Sequence, residues 1–160
     1  MAKIAYISNL PLLDCCCCKD DEEAKRSKLI EVKFKNLMTE NKKYNINLDI
    51  KYGHMDLIDV PKIISSCKEK WFNQTLTRVN ESVVRIGIVE GEFHWHKHDN
   101  DDEFFFVLEG NLFIDLDKST IELGPHQGTT ITKGIMHRPR ASQKVVMLMV
   151  ETAAIEPEGD

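Results

Sequence analysis

The order of apolar and polar residues divides the chain into a mixed first segment and a long region with strand periodicity. Apolar residues recur at helical spacing between Ile30 and Met38, after a run of acidic residues that suits a helix start, and predict a helix ending near Thr39. Alternation from Tyr44 to Tyr52 predicts a half-buried strand. We therefore expect an ordered α/β segment at the beginning of the chain.

The rest of the chain has mainly the pattern of β-strands. A short helix is expected between Pro61 and Trp71, with the proline in its first turn. Beyond it, runs rich in β-branched and aromatic residues are separated by Gly, Asn, Asp or Pro. Seven short strands at regular spacing predict an all-β fold, an antiparallel barrel or sandwich. The predicted strands are Gln74–Asn80, Val83–His98, Glu103–Leu108, Asn111–Leu116, Ser119–Leu123, Thr129–Thr132 and Lys144–Val150.

A change of pattern near Gly53-His54-Met55 suggests a domain boundary. Residues 1–54 are interpreted as an N-terminal appendage, with a fusion segment as an alternative, and residues 55–160 as the barrel domain. The chain of 160 residues is long enough for one main core.

Charge and composition narrow the class of protein. The net charge is −5, and the basic residues are scattered rather than gathered on one face, so we expect no nucleic-acid partner. With no apolar run of membrane-spanning length and no leader-like start, a cytoplasmic protein without membrane contact is expected.

The cysteines do not form a disulfide pattern. Cys15 to Cys18 are consecutive and Cys67 is distant, which favours a reducing compartment. Adjacent cysteines lack the spacers that let thiolates converge on zinc, so a reduced surface run is the first interpretation, with metal binding and lipidation as alternatives.

Histidines at alternate positions suggest metal chemistry. His94, His96 and His98 would project from one face of a strand, and Glu103 follows a turn-forming stretch at the start of the next. His137 follows a Gly-containing turn later in the chain. Imidazoles with a carboxylate are the ligands of a catalytic divalent ion.

These residues resemble the two sequence motifs of the cupin superfamily. His96-x-His98, Glu103 and Gly110 resemble the first motif, and Gly124-Pro125 with Gly134-x-x-His137 resembles the second. The resemblance covers about two thirds of the chain and points to small single-domain cupins, some labelled mannose-6-phosphate isomerase-like. It implies a jelly-roll β-barrel with one divalent ion (Fe, Mn, Zn or Ni) held by His96, His98, Glu103 and His137.

Two positions depart from the second motif. Thr132 stands where a proline is usual, and Ala141 where an asparagine is frequent. Neither change removes a ligand of the metal.

Several residues near the motifs have two interpretations. His94 is interpreted as a pocket residue, with a further metal ligand as the alternative. His94 and Glu90 are also the two candidate catalytic bases. Arg138 and Arg140 flank His137, so strand alternation would direct their side chains to the opposite face, as surface residues. The alternative is that they bind an acidic substrate.

The run Phe104 to Phe106 must point to both faces of its strand. The outer face needs the chain's own helix, the N-terminal segment or a second subunit, so a homodimer is one candidate assembly.

The functional expectation is a divalent-metal-binding cupin with a small-molecule ligand. One hypothesis is a metal-dependent enzyme acting on a small metabolite, either a dioxygenase-type or a sugar-phosphate isomerase-type enzyme. The alternative is a non-enzymatic metal or small-molecule binding module.

Overall fold

The computed structural model describes residues 43–160, which form eight strands and one short helix. The predicted helix near residues 20–39 and the cysteine run lie outside the described residues. The helix α1 spans Val60–Ser66. The strands are β1 (Asn45–Asn47), β2 (Trp71–Val79), β3 (Ser82–Glu92), β4 (Glu103–Glu109), β5 (Leu112–Leu116), β6 (Thr120–Leu123), β7 (Gly128–Ile131) and β8 (His137–Thr152).

All strand pairs are antiparallel except β1 with β2. The strands follow the order β1-β2-β3-β8-β4-β7, and β5 joins β8 and β6. The all-β class predicted from the strand pattern is confirmed. No helix in the described part of the chain is long and apolar enough to cross a membrane.

The 16-residue strand β8 organises the sheet, because it pairs with three other strands. Its first four residues pair with β5, while its second half pairs with both β3 and β4. Exposed residues at 142–144 separate the two halves. One strand thus brings its first residue, His137, and its penultimate residue, Glu151, to the interior of the same barrel.

Two apolar clusters lie on opposite sides of the sheet. The interior cluster includes Phe105, Val107, Leu112 and Ile114, all at most 1% exposed. In the outer cluster, Ile63 of α1 packs with residues of β2, β3 and β8. Asp59 caps α1 by accepting a hydrogen bond from the Lys62 amide at 3.1 Å, a contact typically worth about 1 kcal/mol.

The outer phenylalanines are not part of the cluster beneath α1. Phe104 and Phe106 are half-buried and their rings stack with centroids 6.3 Å apart, while Phe105 points into the barrel. The predicted division of this strand between two faces therefore holds. The homodimer through the outer face stays a prediction.

Several predicted boundaries were wrong. The strand expected to run to His98 ends at Glu92, next to Gly91, whose φ of 107° takes the backbone out of extended geometry. The last strand begins at His137 rather than Lys144 and includes Pro139, whose carbonyl oxygen accepts the Phe93 amide at 3.0 Å. The helix expected to reach Trp71 ends at Ser66, and Trp71 starts β2.

Residues 44–52 pack on the barrel. The amides of Lys51 and Tyr52 donate to β2 carbonyls at 3.1 and 2.9 Å, although only 45–47 of the predicted strand is regular. Tyr44 is 8% exposed, and its ring centroid lies 4.3 Å from that of Phe93 and 5.2 Å from that of Trp71. The domain boundary at residue 54 stays a prediction that these contacts make testable.

Replacing Tyr44 tests whether this segment belongs to the folding unit. Tyr44→Ala removes an aromatic ring packed on two others, so we expect a loss of about 3 kcal/mol in the free energy of unfolding, measured by chemical denaturation. The exposed Lys43→Ala is the matched control. Equal stability of both variants would mean that the barrel folds independently of this segment.

Candidate metal centre

Three stretches of chain deliver four polar side chains to one point inside the barrel. His96 and His98 lie in the segment after β3, Glu103 is the first residue of β4, and His137 is the first residue of β8. Reciprocal backbone hydrogen bonds of 3.0 and 2.9 Å join His96 to His137. A turn with Gly134 at φ 79° precedes His137. Thr132 accepts the Ile135 amide at 3.2 Å in that turn, so the missing proline does not prevent it.

The four side chains are buried and close enough to share an ion. One ligating atom from each of His96, His98, Glu103 and His137 can be chosen so that all lie within 4.8 Å of one another. Ligands about 2.1 Å from one ion are at most about 4.2 Å apart, so the group needs to contract by roughly half an ångström. All four are less than 8% exposed, which removes competing water.

Backbone carbonyls orient two of the imidazoles. His96 Nδ1 donates to the carbonyl oxygen of His94 at 3.2 Å, and His137 Nδ1 donates to that of Ile135 at 2.9 Å. Each Nε2 is thereby left with a lone pair, the arrangement typical of metal-ligating histidines. Both ring nitrogens of His98 are buried without a hydrogen-bond partner.

The group is electrostatically incomplete without a cation or a proton. Glu103 Oε2 lies 3.2 Å from His137 Nε2 and 3.5 Å from His98 Nε2. With its proton on Nδ1, a neutral His137 and an ionised Glu103 would direct lone pairs at each other. A bound divalent ion removes this conflict, and the donor set of three nitrogens and one carboxylate suits Zn, Fe, Mn or Ni.

A small recess in the barrel interior adjoins the group. His96 and Glu103 form part of its wall, and Asn73 is its remaining polar side chain. The rest of the lining is apolar apart from Gly87, and includes Trp71, Phe93, Met147 and Met149. Apolar side chains therefore lie next to the position that an ion at these ligands would occupy.

Comparison with known proteins identifies the family. Residues 83–151 match the model of the cupin domain. The uncharacterized protein YdbB of Bacillus subtilis (strain 168) is 42% identical over 90 residues, which cover 56% of this chain and 80% of YdbB. The chain belongs to the cupin family. The resemblance predicted from the His96-x-His98 and Gly134-x-x-His137 motifs is confirmed.

Solved cupin structures share the fold. A cupin-2 domain-containing protein from Shewanella frigidimarina NCIMB 400 is 30% identical and has a TM-score of 0.58, with 60% of this chain and 94% of that chain covered. Protein NMB1881 from Neisseria meningitidis is 21% identical with a TM-score of 0.55, covering 61% and 99%. At that identity the second likeness concerns the cupin fold alone.

The two candidate bases do not line the recess of this cupin. His94 is half-exposed, and its Nε2 donates to the Glu158 carbonyl oxygen at 2.7 Å. Glu90 pairs with Lys70 at 2.7 Å and lines a separate surface groove. The alternation that predicted His94 on the same face as the ligands fails because the strand has already ended.

Arg138 and Arg140 point away from His137, as the alternation predicted, but they are not free surface residues. Both pair with the carboxylate of Asp115 at 2.8 Å, and they lie over the rings of Trp95 and Phe113, respectively. Hydrogen bonds from Arg140 and Arg138 outweigh desolvation and hold the pKa of Asp115 below its usual value. This network holds β5 to β8 and is not directed at the recess.

A buried contact between Arg85 and Glu151 behind Glu103 was not predicted. Arg85 and Glu151 pair in the barrel interior, 3% and 4% exposed, and Glu151 also contacts Glu103. Phe104 pairs with Val150 across β4 and β8, which makes the preceding Glu103 and the following Glu151 neighbours. The sequence signal was a charge inside the apolar run of β3, which is costly unless the charge is paired.

Burial changes the protonation of this cluster. Desolvation, and secondly the proximity of His137, lower the pKa of His96 to about 4, which keeps the ring neutral and able to bind metal near neutral pH. Burial raises the pKa of Glu103, but the adjacent rings of His137 and His98 lower it by more, so it lies below its usual value. Burial and the charge of Glu103 raise the pKa of Glu151 to about 8, against the opposing effect of Arg85.

Removing single imidazoles tests the ligand set. We expect His96→Ala, His98→Ala and His137→Ala each to weaken zinc affinity more than about 100-fold, beyond the usual cost of losing a group that only supports a ligand. Competition titration against a chelator of known affinity measures this.

His94→Ala is the matched control for these variants. It keeps the backbone carbonyl that orients His96 and should cost about 10-fold or less. A larger loss for His94→Ala than for His98→Ala would show that the ligands are wrongly assigned.

The pH dependence of stability tests the environment of Glu151. Its folded pKa lies above the unfolded value, so the native metal-free protein holds a proton that the unfolded chain loses, and stability falls as pH rises toward 8. His96, with a lowered folded pKa, contributes the opposite slope only below its normal 6.5. Between pH 6.5 and 8 we expect a loss of the order of 2 kcal/mol, measured by denaturation.

Glu151→Gln should flatten this slope, since glutamine has the same shape and does not ionise. Zinc should reduce it in the unmodified protein, because a cation compensates the negative charge of Glu103. An unchanged slope in the variant would assign the effect to another group.

Proposed function

We propose that this cupin is a divalent-metal-dependent enzyme that acts on a small metabolite. The observation that carries the proposal is the group of three buried imidazoles and one carboxylate at the wall of a small apolar recess. Four protein ligands leave one or two exchangeable positions on a six-coordinate ion. His96 and Glu103 line the recess, so a metabolite there would be adjacent to the ion.

In this proposal, some residues hold the metal ion and others orient the imidazole rings that bind it. His96, His98, His137 and Glu103 would hold the ion, and the carbonyls of His94 and Ile135 fix the two rings that donate to them. The apolar walls would exclude water from the bound metabolite. A bound ion would supply Lewis-acid polarisation or, if it is redox-active, chemistry with dioxygen.

Two features of the recess favour the oxygenase type over the sugar-phosphate isomerase type. Its titratable lining residues within the described range, His96 and Glu103, are both assigned as ligands, so no separate base is in place to move a substrate proton. No lysine or arginine between residues 43 and 160 lines it, so a phosphate would meet no positive side chain. We therefore propose an oxygenase-type reaction.

Metal exchange separates the reaction types. Metal-free protein is loaded with Fe(II), Mn(II) or Zn(II), and oxygen uptake is followed across a panel of small apolar metabolites. We expect uptake with Fe(II) and none with Zn(II), because zinc has no redox chemistry. His98→Ala, which lacks one ligand, is the matched control and should show background uptake only.

Interconversion of mannose 6-phosphate with a redox-inert ion would contradict this assignment and support the isomerase. If a metabolite binds saturably but no metal supports turnover, the chain is a binding module instead of an enzyme.

A further inference from the structure

The recess beside the candidate ligands is too small for a metabolite. It offers about 30 Å³ to the centres of water molecules, which is room for about two of them. Met147 fills the position beside Gly87, because a Cβ on Gly87 would lie 2.8 Å from the Met147 Cε. An organic substrate of the proposed enzyme therefore needs part of the wall to move before it can contact the ion.

The segment after β8, residues 156–160, is the part of this wall that lies outside the sheet. Pro157 lines the recess from this segment. Phe93 and His96 are the lining residues between β3 and β4, and each donates a backbone hydrogen bond to β8. The remaining lining residues lie in strands. Displacing Pro157 would therefore leave the strand pairs of the sheet intact.

Surface hydrogen bonds fasten this segment to the loop that precedes β4. The His94 Nε2 donates to the Glu158 carbonyl oxygen at 2.7 Å, and the Asp160 amide donates to the Lys97 carbonyl oxygen at 3.1 Å. The Asp99 amide donates to the Asp160 carboxylate. Since water competes for bonds at the surface, breaking them together requires less free energy than unfolding the barrel.

An anchor for such a movement lies directly before the segment. Ile155 is 4% exposed, and its amide donates to the Thr152 carbonyl oxygen at 3.3 Å. Beyond it, residues 156–160 include no buried position, because three are exposed and two are half-buried. The segment can therefore swing out after Ile155 without uncovering the apolar core.

Gly159 lets the segment lie directly against a candidate ligand. Its φ is 94°, and a Cβ built there would lie 2.7 Å from the His96 Cβ and 3.1 Å from the Lys97 carbonyl oxygen. The His96 Cβ has little freedom, since the backbone of His96 is bonded to that of His137 in both directions. Any other L-residue at position 159 would therefore push the segment away from the barrel.

We infer that the segment after β8 is a lid on the candidate metal centre, closed in this structure, and that it opens to admit any molecule larger than a few waters. This rests on the proposed function for what enters, namely a metabolite that reaches the ion. The closure itself rests on the contacts of Pro157, Glu158, Gly159 and Asp160. Gly159 allows the closed position, and Ile155 anchors the hinge.

Gly159→Ala should hold the lid open, and amide hydrogen exchange measured by NMR on metal-free, full-length protein detects this. The Asp160 amide should lose about 10-fold in protection, the usual effect of losing one hydrogen bond. The His96 amide should keep its protection, which shows that the barrel around the ligands is intact. Gly91→Ala is the matched control, because Gly91 also has a positive φ, 107°, but open space around it. It should change neither amide.

Access to the ion is measured with Co(II)-loaded protein, whose visible absorption changes when imidazole coordinates. We expect imidazole to bind Gly159→Ala about 10-fold more tightly than the unmodified protein, through a faster on rate and an unchanged off rate, because the open form no longer has to be populated first. His94→Ala removes a separate contact of the lid and should act in the same direction. Gly91→Ala should match the unmodified protein.

Equal imidazole affinity in Gly159→Ala and the unmodified protein, with the protection of Asp160 lost, would show that the segment is no barrier and would overturn the inference. Unchanged protection of Asp160 in Gly159→Ala would overturn the closed contacts on which the lid rests.

The two proposals fail separately, because hydrogen exchange needs no metal. Protein that shows the expected exchange but binds no Co(II) would contradict the metal-dependent function and leave the lid supported. Protein that holds Co(II) but binds imidazole equally well in all variants would contradict the lid alone.

Discussion

The burial of a carboxylate among three imidazoles inside the barrel is the constraint on which the rest of this structure depends. Glu103 and the free ring nitrogens of three histidines meet in a space from which water is largely excluded. Such a group is costly to bury unless a positive charge lies among its members. The surrounding strands must hold it together against this cost, and a bound cation would offset the cost and supply the proposed chemistry.

The fold meets this constraint by fixing the backbone around each ligand. His96 and His137 are joined by a pair of backbone hydrogen bonds, so their distance does not depend on side-chain packing alone. Glu103 is held at the start of β4, paired with Ile131 of β7 and in contact with Glu151 of β8. The long strand β8 carries His137 at its start and, near its end, Glu151, which contacts Glu103. The candidate ligands therefore depend on the central strand of the sheet.

The candidate ligand set could be predicted from the sequence because its signal is local and chemically specific. Histidines two residues apart, a carboxylate after a turn and a histidine after a glycine turn could be recognised as one motif without knowing the strand boundaries. The boundaries were less accurate, because tertiary contacts decide where pairing stops. Glu92 ends β3 beside a glycine with positive φ, and Pro139 is accommodated within β8.

The ligand recess could not be predicted in this way. Asn73, Gly87 and Met147 are far apart in sequence and individually ordinary, and only the register of three strands makes them neighbours. Arg85 and Glu151 each gave a weak signal as charges in apolar runs, but their partnership depends on the pairing of β3 with β8. Which side chains meet in the barrel interior depends on the register of several strands. The residue pattern along a single strand does not contain that information.

The segment after β8 returns to the mouth of the barrel and has a practical consequence for handling the protein. Pro157 lines the recess, the Glu158 carbonyl binds His94, and a Cβ at Gly159 would lie 2.7 Å from that of His96. The Asp160 amide donates to the Lys97 carbonyl at 3.1 Å. Any affinity tag or reporter attached after Asp160 would emerge beside the metal ligands, and a polyhistidine tag there would place competing imidazoles at the entrance of the site.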